Sequence, residues 1–78
     1  MPADQPEWIT RAQQALGRRV RDARVYANLT QEQLAALAEI DRSTLQRIEG
    51  GANDAKFSHL LRIARALDVT LRDLLPPE

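Results

Sequence analysis

Two short helical segments with almost no chain between them constrain the fold of this protein more than any other feature. The stretch "LTQEQLAALAEIDRSTLQRIEGG", residues 29–51, contains two helix patterns joined without a glycine or a proline. The first begins after Thr30, where "TQEQ" fits a capping box with Gln33. The second begins after Asp41, a residue type preferred at helix N-termini. Only two residues separate Ala38, the last apolar residue of the first segment, from that cap, so the two helices must cross steeply.

The flanking segments predict the helices on which this pair packs. A first helix over about Pro6 to Ala27 has one apolar stripe at helical spacing, and Asn28 is a plausible left-handed stop. A fourth helix is expected from Lys56 to Leu67, and a short fifth one follows a second capping-box pattern. No segment shows the alternation of a strand. The sequence therefore predicts an all-α fold with five helices and an extended first helix.

Length and composition limit the classes of protein that this chain can belong to. Its 78 residues allow one domain, and 44% hydrophobic with 28% charged residues is typical of a globular protein. The absence of cysteine excludes disulfides and thiolate metal sites. No apolar run has the length of a membrane span, and the start "MPADQPEW" has no apolar signal segment, so we expect a cytoplasmic protein without membrane contact.

Charge distribution tells more than net charge. The formal net charge is zero, which counts mildly against a nucleic-acid binder. Ten of the eleven basic residues are arginine, however, and five of them lie in the first third of the chain. Arginine presents a planar fork of donors that suits phosphate and guanine edges. The pattern is compatible with DNA binding, although a high arginine content can also reflect genome composition.

The steep joint leaves one face of the third helix without an internal partner. Leu45 and Ile48 point inward at a spacing of three residues, whereas polar residues at positions 42, 43, 46 and 47 point outward. This is the geometry of a helix-turn-helix, in which the second helix of the pair enters the DNA major groove. We place the helix-turn-helix at about residues 30–50.

At this point the sequence resembles a known family, the Cro and phage-repressor class of helix-turn-helix proteins, or XRE family. The resemblance covers roughly Leu16 to Leu75 and rests on "LGRRVRDARVYANLTQEQLAALAEIDRSTLQRIEGG" followed by "LLRIARALDVTLRDLL". It implies a compact, lambda-repressor-like DNA-binding domain over residues 16–75, preceded by an extension (1–15) and followed by a tail (76–78). Such proteins are transcriptional regulators, often repressors, that bind an inverted-repeat operator as homodimers.

The resemblance also implies roles for residues of the third helix. Arg42 and Ser43 match the leading base-reading positions of the family. Thr44, Gln46 and Arg47 match further positions that contact a base or a phosphate. By chemistry alone, arginine can bind guanine with two hydrogen bonds and glutamine can pair with adenine, whereas serine has little intrinsic base preference. We therefore expect Arg42, Ser43, Gln46 and Arg47 at bases and Thr44 at phosphate.

Other residues are expected to contact phosphate or to hold the site together. Gln31 matches the family glutamine that binds phosphate and braces the third helix. Thr30 lies at a helix N-terminus, which attracts anions, although capping alone explains it. Arg19 and Asn53 are further phosphate candidates, while most arginines of the first helix are expected to be solvated. The resemblance also implies that Arg24 and Glu49 form a partly buried pair, which joins the first helix to the end of the third.

Candidate dimer residues lie at the two ends of the chain. Trp8 is expected to pack against the fifth helix or to lie in a dimer interface, where aromatic residues are enriched. Leu71, Leu74 and Leu75 are the other candidates, because a very short helix cannot easily bury three leucines by itself. The chain departs from the family pattern at Glu39, which replaces the usual turn glycine, and at Ala55, which replaces a proline before the fourth helix.

Three classes of function remain open at this stage. The first is a sequence-specific regulator of double-stranded DNA, of which a restriction-modification controller is a variant. The second is a protein-interaction module, such as an antitoxin, that binds a protein partner as well as DNA. An enzyme is the least favoured class, because one histidine, no cysteine and scattered carboxylates offer no convergent catalytic group. We expect no cofactor and no metal.

Overall fold

The computed structural model describes residues 5–52 and 55–77, and these residues form five α-helices, with no strand among them. The radius of gyration is 12.2 Å. The predicted all-α, five-helix fold is confirmed. In chain order the helices are α1 (Glu7–Tyr26), α2 (Gln31–Ala38), α3 (Arg42–Gly50), α4 (Phe57–Leu67) and α5 (Leu71–Leu74). Within the described ranges, no helix has the length and apolarity needed to cross a bilayer.

One core joins all five helices. It is built from aliphatic side chains, and among the described residues no polar or charged residue belongs to it. Ala35 is 3% exposed, as expected of a small residue where α3 approaches α2. Because α2 and α3 are short, their stability comes from this packing rather than from helix propensity. The largest fully buried side chains are Val20, Leu34, Leu45, Ile63 and Leu74, at least one from each helix.

Side-chain caps fix the start of two helices. Thr30 and Gln33 form both halves of a capping box at α2, and Thr70 and Asp73 do the same at α5. Both predictions from the sequence are confirmed. The carboxylate of Asp41, by contrast, makes no capping hydrogen bond at α3, although Asp41 is the N-cap residue. The start of α3 therefore keeps its free backbone amides, which remain available to an external anion.

Left-handed residues end three of the helices without a glycine. Asn28, Glu39 and Asp68 have φ values of 60°, 57° and 57°. The stop at Asn28 was expected from the sequence. Glu39, at the position where the sequence comparison expected glycine, is left-handed, so the turn between α2 and α3 places a less favourable residue in a conformation that suits glycine. The Glu39 side chain forms an exposed ion pair with Arg62 of α4 at 3.3 Å.

A glycine in the middle of α1 sets the distance between α1 and α3. A Cβ atom at Gly17 would collide with the carbonyl oxygen of Ile48 and lie 2.6 Å from that of Glu49. Gly51, which ends α3 at a φ of 70°, lies against Gln14 in the same way. The backbone of α1 therefore touches the backbone at the end of α3. The sequence prediction did not include this contact, although an isolated glycine within a helix pattern is a signal of close packing.

The three leucines of the fifth helix region differ in burial. Leu74 is 1% exposed and belongs to the core of the single chain. The prediction of a dimer role is therefore wrong for Leu74, because α1 and α4 both contact α5 and cover its inward side. Leu75 is 45% exposed and Leu71 is half-buried, so these two still present apolar surface. Trp8 is 70% exposed, beside Pro76 and Pro77 rather than beneath α5.

Candidate nucleic-acid interface

The outer face of α3 carries four exposed polar side chains. Arg42, Ser43, Gln46 and Arg47 follow one another at helical spacing and are all exposed, as the sequence predicted. Leu45 and Ile48 on the opposite face are buried, which fixes the rotation of the helix about its axis. A rigid helix with an exposed polar face and a buried apolar face can read base edges in the major groove.

An ion pair with two hydrogen bonds anchors α3 to α1. The Arg24 Nε atom donates to Glu49 Oε2 at 2.7 Å, and Arg24 Nη2 donates to Glu49 Oε1 at 3.0 Å. The third donor of Arg24, Nη1, bonds the Leu29 carbonyl oxygen at 2.9 Å. The two side chains are only 12% and 4% exposed. The hydrogen bond to Glu49 raises the pKa of Arg24 although burial opposes the shift, and the charge of Glu49 adds to the increase.

Gln31 joins the same cluster from the first turn of α2. Its Nε2 atom donates to Glu49 Oε1 at 3.0 Å, so Glu49 holds α1, α2 and α3 together. One amide hydrogen of Gln31 is used in this bond, and a second one remains to donate to an anion. This arrangement agrees with the bracing role that the family resemblance implies for Gln31. The phosphate contact itself remains a prediction.

A cleft lies in front of this cluster at the N-termini of α2 and α3. It is lined by Arg24, Thr30, Gln31, Glu32 and Arg42. The Thr30 hydroxyl accepts a hydrogen bond from the backbone amide of Gln33 at 3.0 Å, so capping uses one of the two lone pairs of this oxygen. The amides of the first turn of α2 and the positive end of its dipole point toward the cleft. The structure therefore brings Thr30, Gln31 and Arg42, which the sequence predicted as DNA contacts, to one place.

Glu32 is a member of this cleft that the sequence prediction missed. Its Oε2 atom lies 3.8 Å from Arg42 Nη1, and the two side chains are 80% and 57% exposed. Such a loose, exposed pair contributes little to stability. It does place a negative charge beside Arg42 and beside the expected path of the DNA. The sequence feature that could have identified Glu32 is its place as an acidic residue next to Gln31, in the first turn of α2.

Three other predicted phosphate residues lie differently. Arg19 Nη1 donates to the Asp73 carbonyl oxygen at 3.4 Å, on the side of α1 that faces α5. On a helix of 3.6 residues per turn this side is about 140° around the axis from that of Arg24, so the placement of Arg19 at the DNA site is corrected. Thr44 is half-buried at the edge of the exposed face of α3. Asn53 lies outside the described residues.

A family model of a helix-turn-helix domain matches residues 15–76. The chain belongs to the XRE-type helix-turn-helix family. Among solved structures, the restriction-modification controller protein C.AhdI from Aeromonas hydrophila is similar, with a TM-score of 0.79 and 35% identity. The match covers 81% of this chain and 96% of that one. No curated protein matches this member of the family.

A second solved structure extends the likeness to the N-terminal part of α1. The hypothetical transcription factor NHTF from Neisseria has a TM-score of 0.81 and 28% identity. The match covers 99% of this helix-turn-helix chain and 87% of that one. The predicted lambda-repressor-like helical domain is thus supported by two neighbours with different sequences.

Proposed function

We propose that this chain is a sequence-specific DNA-binding transcriptional regulator that inserts α3 into the major groove. The observation that carries the proposal is the exposed face of Arg42, Ser43, Gln46 and Arg47 on a helix whose other face is locked into the core. The names of the two structural neighbours, a controller protein and a transcription factor, point to the same activity. Regulation by repression follows when the operator overlaps a promoter.

The cleft at the start of α2 supports a fixed docking position on the DNA backbone. Gln31 is tied to Glu49, and α2 has a capped N-terminus with unused amides. A phosphate bound there would set the register of α3 in the groove, because backbone contacts position a protein whereas base contacts specify the sequence. Arg42 then lies at the end of α3 that is nearest to this anchor.

A homodimer on an inverted repeat is the assembly that we propose. Leu75 is 45% exposed, and Leu71, four residues before it at the start of α5, is half-buried. These leucines present apolar surface that a second copy would cover by a symmetric contact. Two copies would then bind half-sites about 34–36 Å apart, which is one helical turn of DNA.

The likeness to C.AhdI favours one specific regulatory setting. That protein is a restriction-modification controller, and this chain spans 96% of its length at 35% identity. We propose a controller role as a variant of the regulator function. A methylase or endonuclease gene beside the gene for this chain, with an operator in their shared promoter, would support the variant. An operator found only at unrelated promoters would contradict it and leave the regulator function intact.

The deciding experiment is selection of bound duplexes from random DNA, followed by titration of the best site at two salt concentrations. The proposal predicts a palindrome bound at least a thousandfold more tightly than random DNA. An Arg42→Ala variant should lose most of this ratio, with Arg65→Ala, which changes an exposed arginine on α4, as a matched control. Weak binding without base preference, steeply dependent on salt, would indicate phosphate contacts alone and would contradict the proposal.

A further inference from the structure

A groove on the far side of α1 is not used by the DNA site. It runs between the first turns of α1 and the residues that follow α5, with a volume of about 680 Å³. We call it the Trp8 groove. Trp8 and Gly17 are nine residues apart, which is two and a half turns, so the groove faces away from α3. Its lining consists of Trp8, Arg11, Ala12, Ala15, Arg18, Pro76 and Pro77.

The first turns of α1 contribute nothing to the core. The buried residues of α1 are Gly17 and Val20, both in its second half. In these first turns, Trp8 is 70% exposed. The Gln5 Nε2 atom donates to the Thr10 hydroxyl at 2.9 Å, and this bond holds the residue before the helix against its first turn. The family model begins only at residue 15. A helical extension that lies outside the core, with a largely exposed tryptophan, gains stability when a partner covers it, because aromatic side chains dominate interface energies.

The charges around the Trp8 groove indicate which charge a binding partner should carry. Among the described residues, Arg18 has no ion-pair partner. Within the described part of the chain, Arg11 pairs with Glu7 alone, at 3.3 Å and with both side chains more than 70% exposed, so this pair is weak. None of the described residues that line the groove is acidic. On the adjoining surface, Asp22 of α1 and Asp73 of α5 would repel an anion.

The spacing of the two arginines matches an extended chain. Arg11 and Arg18 are seven residues apart on one helix, which corresponds to about 10 Å along its axis. In the extended polyproline II conformation, which has three residues per turn, residues i and i+3 lie on the same side of the chain and are about 9 Å apart. Two carboxylates at this spacing can therefore face both guanidinium groups at once. Ala12 and Ala15 lie between the arginines and are small, which leaves room for an apolar side chain next to Trp8.

We propose that the Trp8 groove binds an extended acidic segment of a partner protein. Two carboxylates of the segment, three residues apart, pair with Arg11 and Arg18. An apolar side chain between them packs on Ala12, Ala15 and Trp8. A protein partner was an alternative that the sequence left open, and this groove gives it a defined location. The proposal is independent of DNA binding, since no residue of the groove belongs to α2 or α3.

The test uses Trp8 as its own reporter, because it is the only tryptophan in the chain. Random 12-residue peptides are displayed and selected on the full chain, and the best ones are synthesised and titrated while tryptophan emission is recorded. We expect selected peptides with two acidic residues at i and i+3 and an apolar residue between them. Binding should shift the Trp8 emission to shorter wavelength. Arg18→Glu should weaken binding at least tenfold.

The matched control is Arg21→Glu, which makes the same charge change at an exposed position of α1 outside the groove. It should leave peptide binding within twofold. Peptides without acidic enrichment, failure to select any peptide, or equal binding by the Arg18→Glu variant would overturn the proposal. An emission shift on concentrating the protein alone would assign the groove to a second copy, and a shift on adding duplex DNA would assign it to DNA. Either result would also overturn it.

Discussion

Arg24 and Glu49 form a bidentate ion pair, with distances of 2.7 and 3.0 Å, that joins α1 to the C-terminal part of α3. Removing one partner of a buried pair leaves the other charge without compensation. We expect Arg24→Ala to lower the free energy of unfolding by about 3 to 5 kcal/mol. Urea denaturation measures this change. Glu7→Ala, which breaks the exposed pair with Arg11, is the control and should cost less than about 1 kcal/mol.

Arg42 and Gln31 should affect DNA binding in different ways. Arg42→Ala should weaken binding to the selected site by about 1 to 3 kcal/mol and reduce the preference for one base, because its guanidinium is expected at a base edge. Gln31→Ala should weaken binding to all sequences by a similar factor, because a phosphate contact carries no sequence information. Titration of both variants on operator and random duplexes measures the two effects. Equal losses on both DNAs for Arg42→Ala would contradict its base-reading role.

Glu32 is expected to trade affinity for selectivity. Its carboxylate lies 3.8 Å from Arg42 and near the expected phosphates. Glu32→Gln should increase affinity for random DNA by about 0.5 to 1 kcal/mol, since a surface charge of the wrong sign is removed. Discrimination against substituted operators should fall, because Arg42 loses a restraint. The assay is competition between operator and random DNA, and an unchanged specificity ratio would show that the pair has no such role.

The left-handed conformation of Glu39 leads to a prediction about stability, for which Asp68 is the control. Glu39→Gly should relieve about 1 kcal/mol of backbone strain and lose the exposed pair with Arg62. Asp68→Gly has the same φ of 57° and no ion pair among the described residues, so it reports the backbone term alone. Thermal unfolding of both variants, and of Arg62→Ala, separates the two terms. Destabilisation by Asp68→Gly would contradict the strain argument.

Leu74 and Leu75 are neighbours in sequence but should behave oppositely. Leu74→Ala should cost about 2 to 5 kcal/mol of stability, because it leaves a cavity in the core. Leu75→Glu should change the stability of the single chain little, but it should dissociate the proposed dimer and weaken operator binding. Sedimentation and denaturation of both variants check this pattern. A Leu75→Glu variant that remains dimeric would place the dimer contact elsewhere on the surface.

The sequence predicted those parts of the fold that depend on local chemistry. The caps at Thr30 and Thr70 and the stop at Asn28 are set by bonds within a few residues, so the pattern alone located them. Leu74 failed as a dimer candidate because its burial depends on how α1 and α4 approach it, which no local pattern contains. The side chain of Asp41 failed as a cap for a related reason, since residue preference does not fix a rotamer.

The sequence also predicted part of the candidate DNA-binding site. Family resemblance identified Arg24, Glu49 and Gln31, and the structure gives the bonds among them. Arg19 was misplaced because composition does not show which side of α1 a residue occupies relative to α5. The ion pair of Glu32 with Arg42 was missed because it joins two helices across the turn, and its existence depends on their crossing angle.

The contact between Gly17 and the carbonyls at the end of α3 has a consequence for how this protein can evolve. The position of α3 is set by main-chain atoms and buried residues, none of which belongs to the exposed face that we propose reads DNA. The outward residues can therefore be exchanged without disturbing the framework that presents them. If α3 reads DNA as proposed, a duplicated copy of this gene would need only a few substitutions on one face of α3 to acquire a new operator. The same separation makes the chain a suitable scaffold for transplanting recognition residues between regulators.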